Sequence, residues 1–93
     1  MRVYTVIDEM RRREDQEIFK GAIEDLKKYA NTRIQEDIKE LVIDEREIEY
    51  IQTSLECECF NIIVEEIGEY LFGESGKYKV EELTKWNNIC LVV

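Results

Sequence analysis

From Leu55 onward the apolar positions recur at Cys59, Ile62 or Ile63, Ile67 and Tyr70 or Leu71, while Glu56, Glu58, Glu65, Glu66 and Glu69 fill the other side. Steps of three and four lay a broad apolar stripe along an α-helix, so the pattern predicts a helix over 54–72. Thr53 and Glu56 stand in capping-box order before it, and Gly73 can take the left-handed conformation that ends it. A second stripe of Ile18, Phe19, Ala22, Ile23, Leu26 and Ala30 predicts a helix over 15–30, closed by Asn31 and Thr32. Its first turn is acidic and its last holds Lys27 and Lys28, the order favoured by the helix dipole. Gly21 in its interior weakens it by about 1 kcal/mol relative to alanine, which is read as marking a close approach of another backbone.

Strand patterns frame these helices. Residues 2–8, RVYTVID, are β-branched and aromatic and predict the first strand. Residues 32–52 fit two periods. As helix, Thr32 and Gln35 cap a run through Ile34, Ile38, Leu41 or Val42, Ile48 and Ile51, with Glu45 interrupting; as strands, 41–43 and 47–52 flank the polar turn Asp44-Glu45-Arg46. The reading adopted is a helical turn over 33–40 and a hairpin over 41–52, because the second half is rich in strand formers. Residues 77–80 predict a short edge strand, 81–87 one or two helical turns, and the apolar run 89–93, ICLVV, a central strand beside 2–8.

Together these elements predict an α+β fold: one small two-layer domain spanning 1–93, a mostly antiparallel sheet with two main helices on one face. The order β-α-β-β-α-β would be ferredoxin-like. A helical bundle or long-helix dimer is the alternative, with 33–72 helical almost throughout.

Ninety-three residues suffice for one compact core. No run approaches the ~20 apolar residues of a membrane span, and the start does not follow the order of a secretory signal. The expected setting is the cytoplasm. Cys57, Cys59 and Cys90 are then read as free thiols packed as small hydrophobes.

Charge sharpens the picture. Residues 34–75 carry two basic against thirteen acidic side chains, net −11, whereas 1–33 and 76–93 are each net +1. A field of that sign repels nucleic acid and anionic lipid and attracts basic partners.

Candidate chemistry is sparse. The chain has no histidine, which removes the usual general base and the commonest transition-metal ligand. Cys57-Glu58-Cys59 lacks the fourth ligand and the C-x-x-C spacing of structural zinc, and on a helix its two thiols would diverge. The run Glu65-Glu66-Ile67-Gly68 falls short of the Nudix pyrophosphatase pattern, which needs Arg-Glu where Asn61 and Ile62 stand. Arg11, Arg12 and Arg13 have acidic neighbours at Glu14, Asp15 and Glu17 with which to pair. Trp86 and the aromatic residues Tyr50, Phe60, Tyr70 and Phe72 are read as core.

The function that follows is an acidic, non-catalytic protein-binding module docking on a basic surface of a protein partner, with no cofactor, metal, membrane or direct nucleic-acid contact. Its candidate residues are Glu45, Glu47 and Glu49, spaced about 6.6 to 6.8 Å apart along a strand, with Glu56 and Glu58 extending the row. Such a row could imitate a nucleic-acid backbone, as in inhibitors of the kind viruses and mobile elements encode. The alternatives are a small magnesium-dependent enzyme built on carboxylates such as Glu66 and Glu69, and a self-assembling subunit, a homodimer or larger homo-oligomer.

Overall fold

Val3, Tyr4, Thr5, Val6 and Ile7 are all β-branched or aromatic, and they form the central strand β1 (Val3–Asp8) in the computed structural model, which describes residues 2–83. β2 (Glu17–Gly21) and β3 (Tyr78–Leu83) flank it in a three-stranded antiparallel sheet of order β2-β1-β3. Val6 lies opposite both Phe19 and Val80, and a bulge where Ile7 meets Glu17 takes up the extra residue Ile18. Tyr4, Val6 and Asp8 project to one side, Val3, Thr5 and Ile7 to the other.

Among the described residues three helices join the strands in the order β-β-α-α-α-β: α1 (Ile23–Lys39), α2 (Glu45–Leu55) and α3 (Phe60–Phe72). The core joins Val6 to Leu26, Ala30 and Ile34 of α1, Ile51 and Leu55 of α2, and Phe60, Ile63, Val64, Ile67 and Leu71 of α3. Phe60 stacks on Tyr4 with ring centroids 4.5 Å apart, tying the helices to the sheet. Buried Asp8 ties the connections together. Its carboxylate accepts from the backbone N–H of Lys77 and of Met10, each at 3.0 Å, and from Arg11 Nε at 3.2 Å.

The α+β class and the antiparallel sheet agree with the sequence reading; several elements differ from it. The helix expected over 15–30 divides into β2 and the start of α1. Gly21 is the junction: a Cβ there would lie 2.9 Å from Asp25 Oδ2, which caps the helix by accepting from the Ala22 N–H at 2.9 Å. The helix does not stop at Asn31 and Thr32 but absorbs 33–39, since Leu26, Ala30 and Ile34 continue one buried stripe.

The hairpin expected over 41–52 is helix α2. Asp44 decides it, its Oδ1 accepting from the Glu47 N–H at 2.9 Å as an N-cap. The helix expected over 54–72 is broken. Thr53 lies in the last turn of α2, 56–59 are non-helical, and Cys59 stands at the N-cap of α3. Gly73 does end α3, at φ 111°.

Among the described residues the element order therefore differs from β-α-β-β-α-β, and three helices rather than two accompany the sheet. Residues 81–83 belong to β3; the rest of the helix expected over 81–87, the strand expected over 89–93, Trp86 and Cys90 lie outside the described residues. Among the described residues no helix is long and apolar enough to cross a membrane.

Candidate functional site

The turn from α1 to α2 has an unusual residue at its apex. The Leu41 N–H donates to the Ile38 carbonyl at 3.2 Å and the Val42 N–H to the Asp37 carbonyl at 3.1 Å, the two bonds of a Schellman close. That motif asks for a left-handed residue, and Leu41 supplies it at φ 57°. Leu41 is 88% exposed and Val42 65% exposed.

Behind this turn α2 lies along α3, and between them opens a cleft of about 610 Å³. Val42, Ile43, Ile51 and Ile67 provide apolar lining. Asp37 of α1, Glu47 of α2, Glu66 and Glu69 of α3, and Glu74 beyond it bring five carboxylates to the cleft, against one cation, Arg46. None of the five takes part in an ion pair among the described residues, whose pairs all lie elsewhere.

Two tyrosines organise the walls. Tyr50, half of it exposed, donates its phenol proton to Glu66 and so links α2 to α3. Tyr70 donates to Asp37 and links α3 to α1. Both phenols are held above their ordinary pKa: Tyr50 first by the hydrogen bond to Glu66, Tyr70 first by burial and then by the bond to Asp37. They act as neutral donors here. Arg33 rests over the Tyr70 ring at 5.0 Å and donates to the Leu71 carbonyl at 2.7 Å, a bond that Tyr29 reinforces at 3.4 Å. The end of α3 is thereby fastened to α1.

The residues expected to form the docking row are distributed differently. Glu47 alone lines the cleft. Glu45 and Glu49 are exposed on α2, one helical turn apart, and Glu56 is its C-cap. Because 45–55 is helical, alternate residues do not share a face, and the strand-spaced carboxylate row does not exist. Glu58 is taken up by Lys27 at 3.0 Å.

Further expectations are corrected. Cys57 and Cys59 lie in a non-helical link where the Cys59 N–H donates to Cys57 Sγ at 3.4 Å; Cys57 is half-buried and packs against the core as expected of a small hydrophobe, whereas Cys59 is exposed. Arg11 pairs with Asp8 rather than with the acidic residues after it, and Arg12 and Arg13 are exposed. Tyr50 is also not core, whereas Phe60 is.

Asp37, Tyr50, Glu66 and Tyr70 went unrecognised as partners because their meeting depends on how three helices pack. The available signal was Asp44-x-x-Glu47, a capping pattern that makes 45–55 helical and turns Tyr50 toward α3. Among the described residues no three Cys, Asp or Glu side chains converge in a group able to hold a metal ion. What the cleft offers is a negative rim, aromatic rings and an apolar lining. Comparison with protein-family models, curated proteins and solved structures finds no match.

Proposed function

We propose that the chain is an acidic, non-catalytic binding module that docks on a basic surface of a protein partner, with the α2–α3 cleft as its docking face. One observation carries the reading: five carboxylates gathered at an open, partly apolar cleft without an ion pair of their own among the described residues. A rim of that sign attracts a basic partner, whose apolar side chains would cover the lining. Glu45 and Glu49, on the exposed side of α2, extend the attraction beyond the rim. A cytoplasmic setting suits the free thiols Cys57 and Cys59. Where the partner's basic surface also binds nucleic acid, docking would compete with it.

The test is affinity capture from native lysate at low and high salt, comparing the natural chain with a Glu47→Lys, Glu66→Lys, Glu69→Lys variant. A stoichiometric partner that is lost both at high salt and on charge reversal is the expected result. A partner held equally well by the reversed cleft would reject this face.

A further inference from the structure

We infer that the cleft recognises its partner as a basic amphipathic helix, with an apolar side chain seated against Val42 and Tyr50 and lysines or arginines directed at Glu47, Glu66 and Glu69. The inference rests on the docking reading above and specifies what docks.

Three observations converge on it. The first is where apolar surface is left in water. Val42 and Tyr50 are 65% and 51% exposed and both line the cleft, and Leu41, at 88%, adjoins Val42. These residues form a shoulder beside the negative rim, the pairing of surfaces that an amphipathic segment with a basic face matches. The second is Leu41 itself. Its left-handed backbone is where glycine or asparagine would serve the turn better, yet the site holds a leucine whose side chain packs on almost nothing. A partner's apolar face would cover it.

The third concerns backbone. Among the described residues all the lining comes from helices and the turns after α1 and α3, and no strand borders the cleft. An extended segment would find no edge to pair with there, and its N–H and C=O groups would lose water over apolar lining without replacement. A helix satisfies those groups internally and offers only side chains. A second copy of this chain is a poor occupant, because its own residues 34–75 carry net −11 and would meet a like charge.

The inference is tested by following the isotope-labelled chain by NMR while adding a synthetic Leu/Lys amphipathic helix of about five turns. Controls are a peptide of the same composition with its order scrambled and a Leu/Glu helix of the same pattern. The expected result is binding of the patterned basic helix alone, with shifts concentrated at Val42, Tyr50 and Ile67. Leu41→Gly, which leaves the turn intact, should weaken it about tenfold through the lost apolar contact.

Equal binding of the scrambled peptide, abolished by salt, would overturn the helix inference and leave the acidic docking reading standing. No binding by either basic peptide at low salt would overturn both. Shifts centred on the strands, or a self-association that buries the cleft in a sedimentation experiment, would overturn the inference as well.

Discussion

Replacing Leu41 by glycine should make this protein more stable. In the left-handed region an L-residue other than glycine is disfavoured by roughly 1–2 kcal/mol, through its Cβ and the following carbonyl oxygen. Leu41 has φ 57° and bears that strain in full. Glycine removes it and gives back about 0.5–1 kcal/mol through its greater freedom in the unfolded chain. The leucine side chain is 88% exposed, so its loss subtracts only about 0.3 kcal/mol, an eighth of a fully buried leucine's roughly 2 kcal/mol. The balance is a gain of about 0.5 kcal/mol, up to about 1 if the strain lies at the upper end. For a domain of this size that raises Tm by about 2–8 °C and moves the urea midpoint upward without changing the slope. Leu41→Ala is the control, since it removes the same side chain but keeps the Cβ, and it should be neutral or slightly destabilising. If Leu41→Gly is no more stable than Leu41→Ala, the backbone is not strained and the reasoning fails. A variant that is more stable yet binds the basic helix more weakly would show strain kept in place for binding.

Three other expectations concern the frame. Phe60→Ala empties a core position that is 2% exposed and stacked on Tyr4, and should cost about 3–5 kcal/mol in chemical unfolding, whereas Phe60→Leu should cost much less. Arg33→Met should cost about 1–2 kcal/mol, because the Leu71 carbonyl loses its closest donor and Tyr70 its cation; near-neutral stability would mean that Tyr29 and water suffice. Asp8 sets a pH dependence. The Lys77 N–H above all, then the Met10 N–H and Arg11, hold its carboxyl below the ordinary 3.8 against the opposing effect of burial. A folded-state value below the unfolded one gives stability that is complete above the ordinary value and lost as pH falls through the lowered one. The difference in urea midpoint between the natural chain and Asp8→Asn should therefore be largest near neutrality and shrink in acid. A difference independent of pH would assign Asp8 no electrostatic part.

Much of the frame was legible because it depends on neighbours in sequence. The strand at 2–8 follows from its β-branched composition, the end of α3 from Gly73, and the short strand after it from Tyr78 and Val80. The misread stretches are those where one period runs across a junction. Ile18, Phe19, Ala22, Ile23 and Leu26 keep helical spacing while the backbone changes from strand to helix at Gly21, because β2 and α1 both face the same core. Leu55 and Ile63 are both buried on either side of the break at 56–59, so the helical spacing runs on across it although Cys59 between them is exposed: buried positions report the core, not the path between them. At 41–52 β-propensity favoured strand, but Asp44 at the N-cap and the burial of Ile51 and Leu55 against α3 outweigh it. The acidity of the middle segment was plain from its composition. The placing of Glu66, Glu69 and Asp37 beside Glu47 was not, since it arises from three helices meeting.

The sheet order sets a schedule for the chain's own synthesis. β1 is made before β2 and β3 and pairs readily with β2 through the short link between them, but its other edge waits for β3, with Val3 opposite Leu83. Until residues 78–83 are clear of the exit tunnel, the central strand is an open edge bearing Val3, Thr5 and Ile7, the kind of surface that pairs with other chains. Closing so long a loop carries only a modest entropy penalty, yet a pairing so distant in sequence slows folding. A chain halted before β3 would hold its hairpin and helices but leave that edge uncovered, so nascent chains of this protein should need protection until β3 is made.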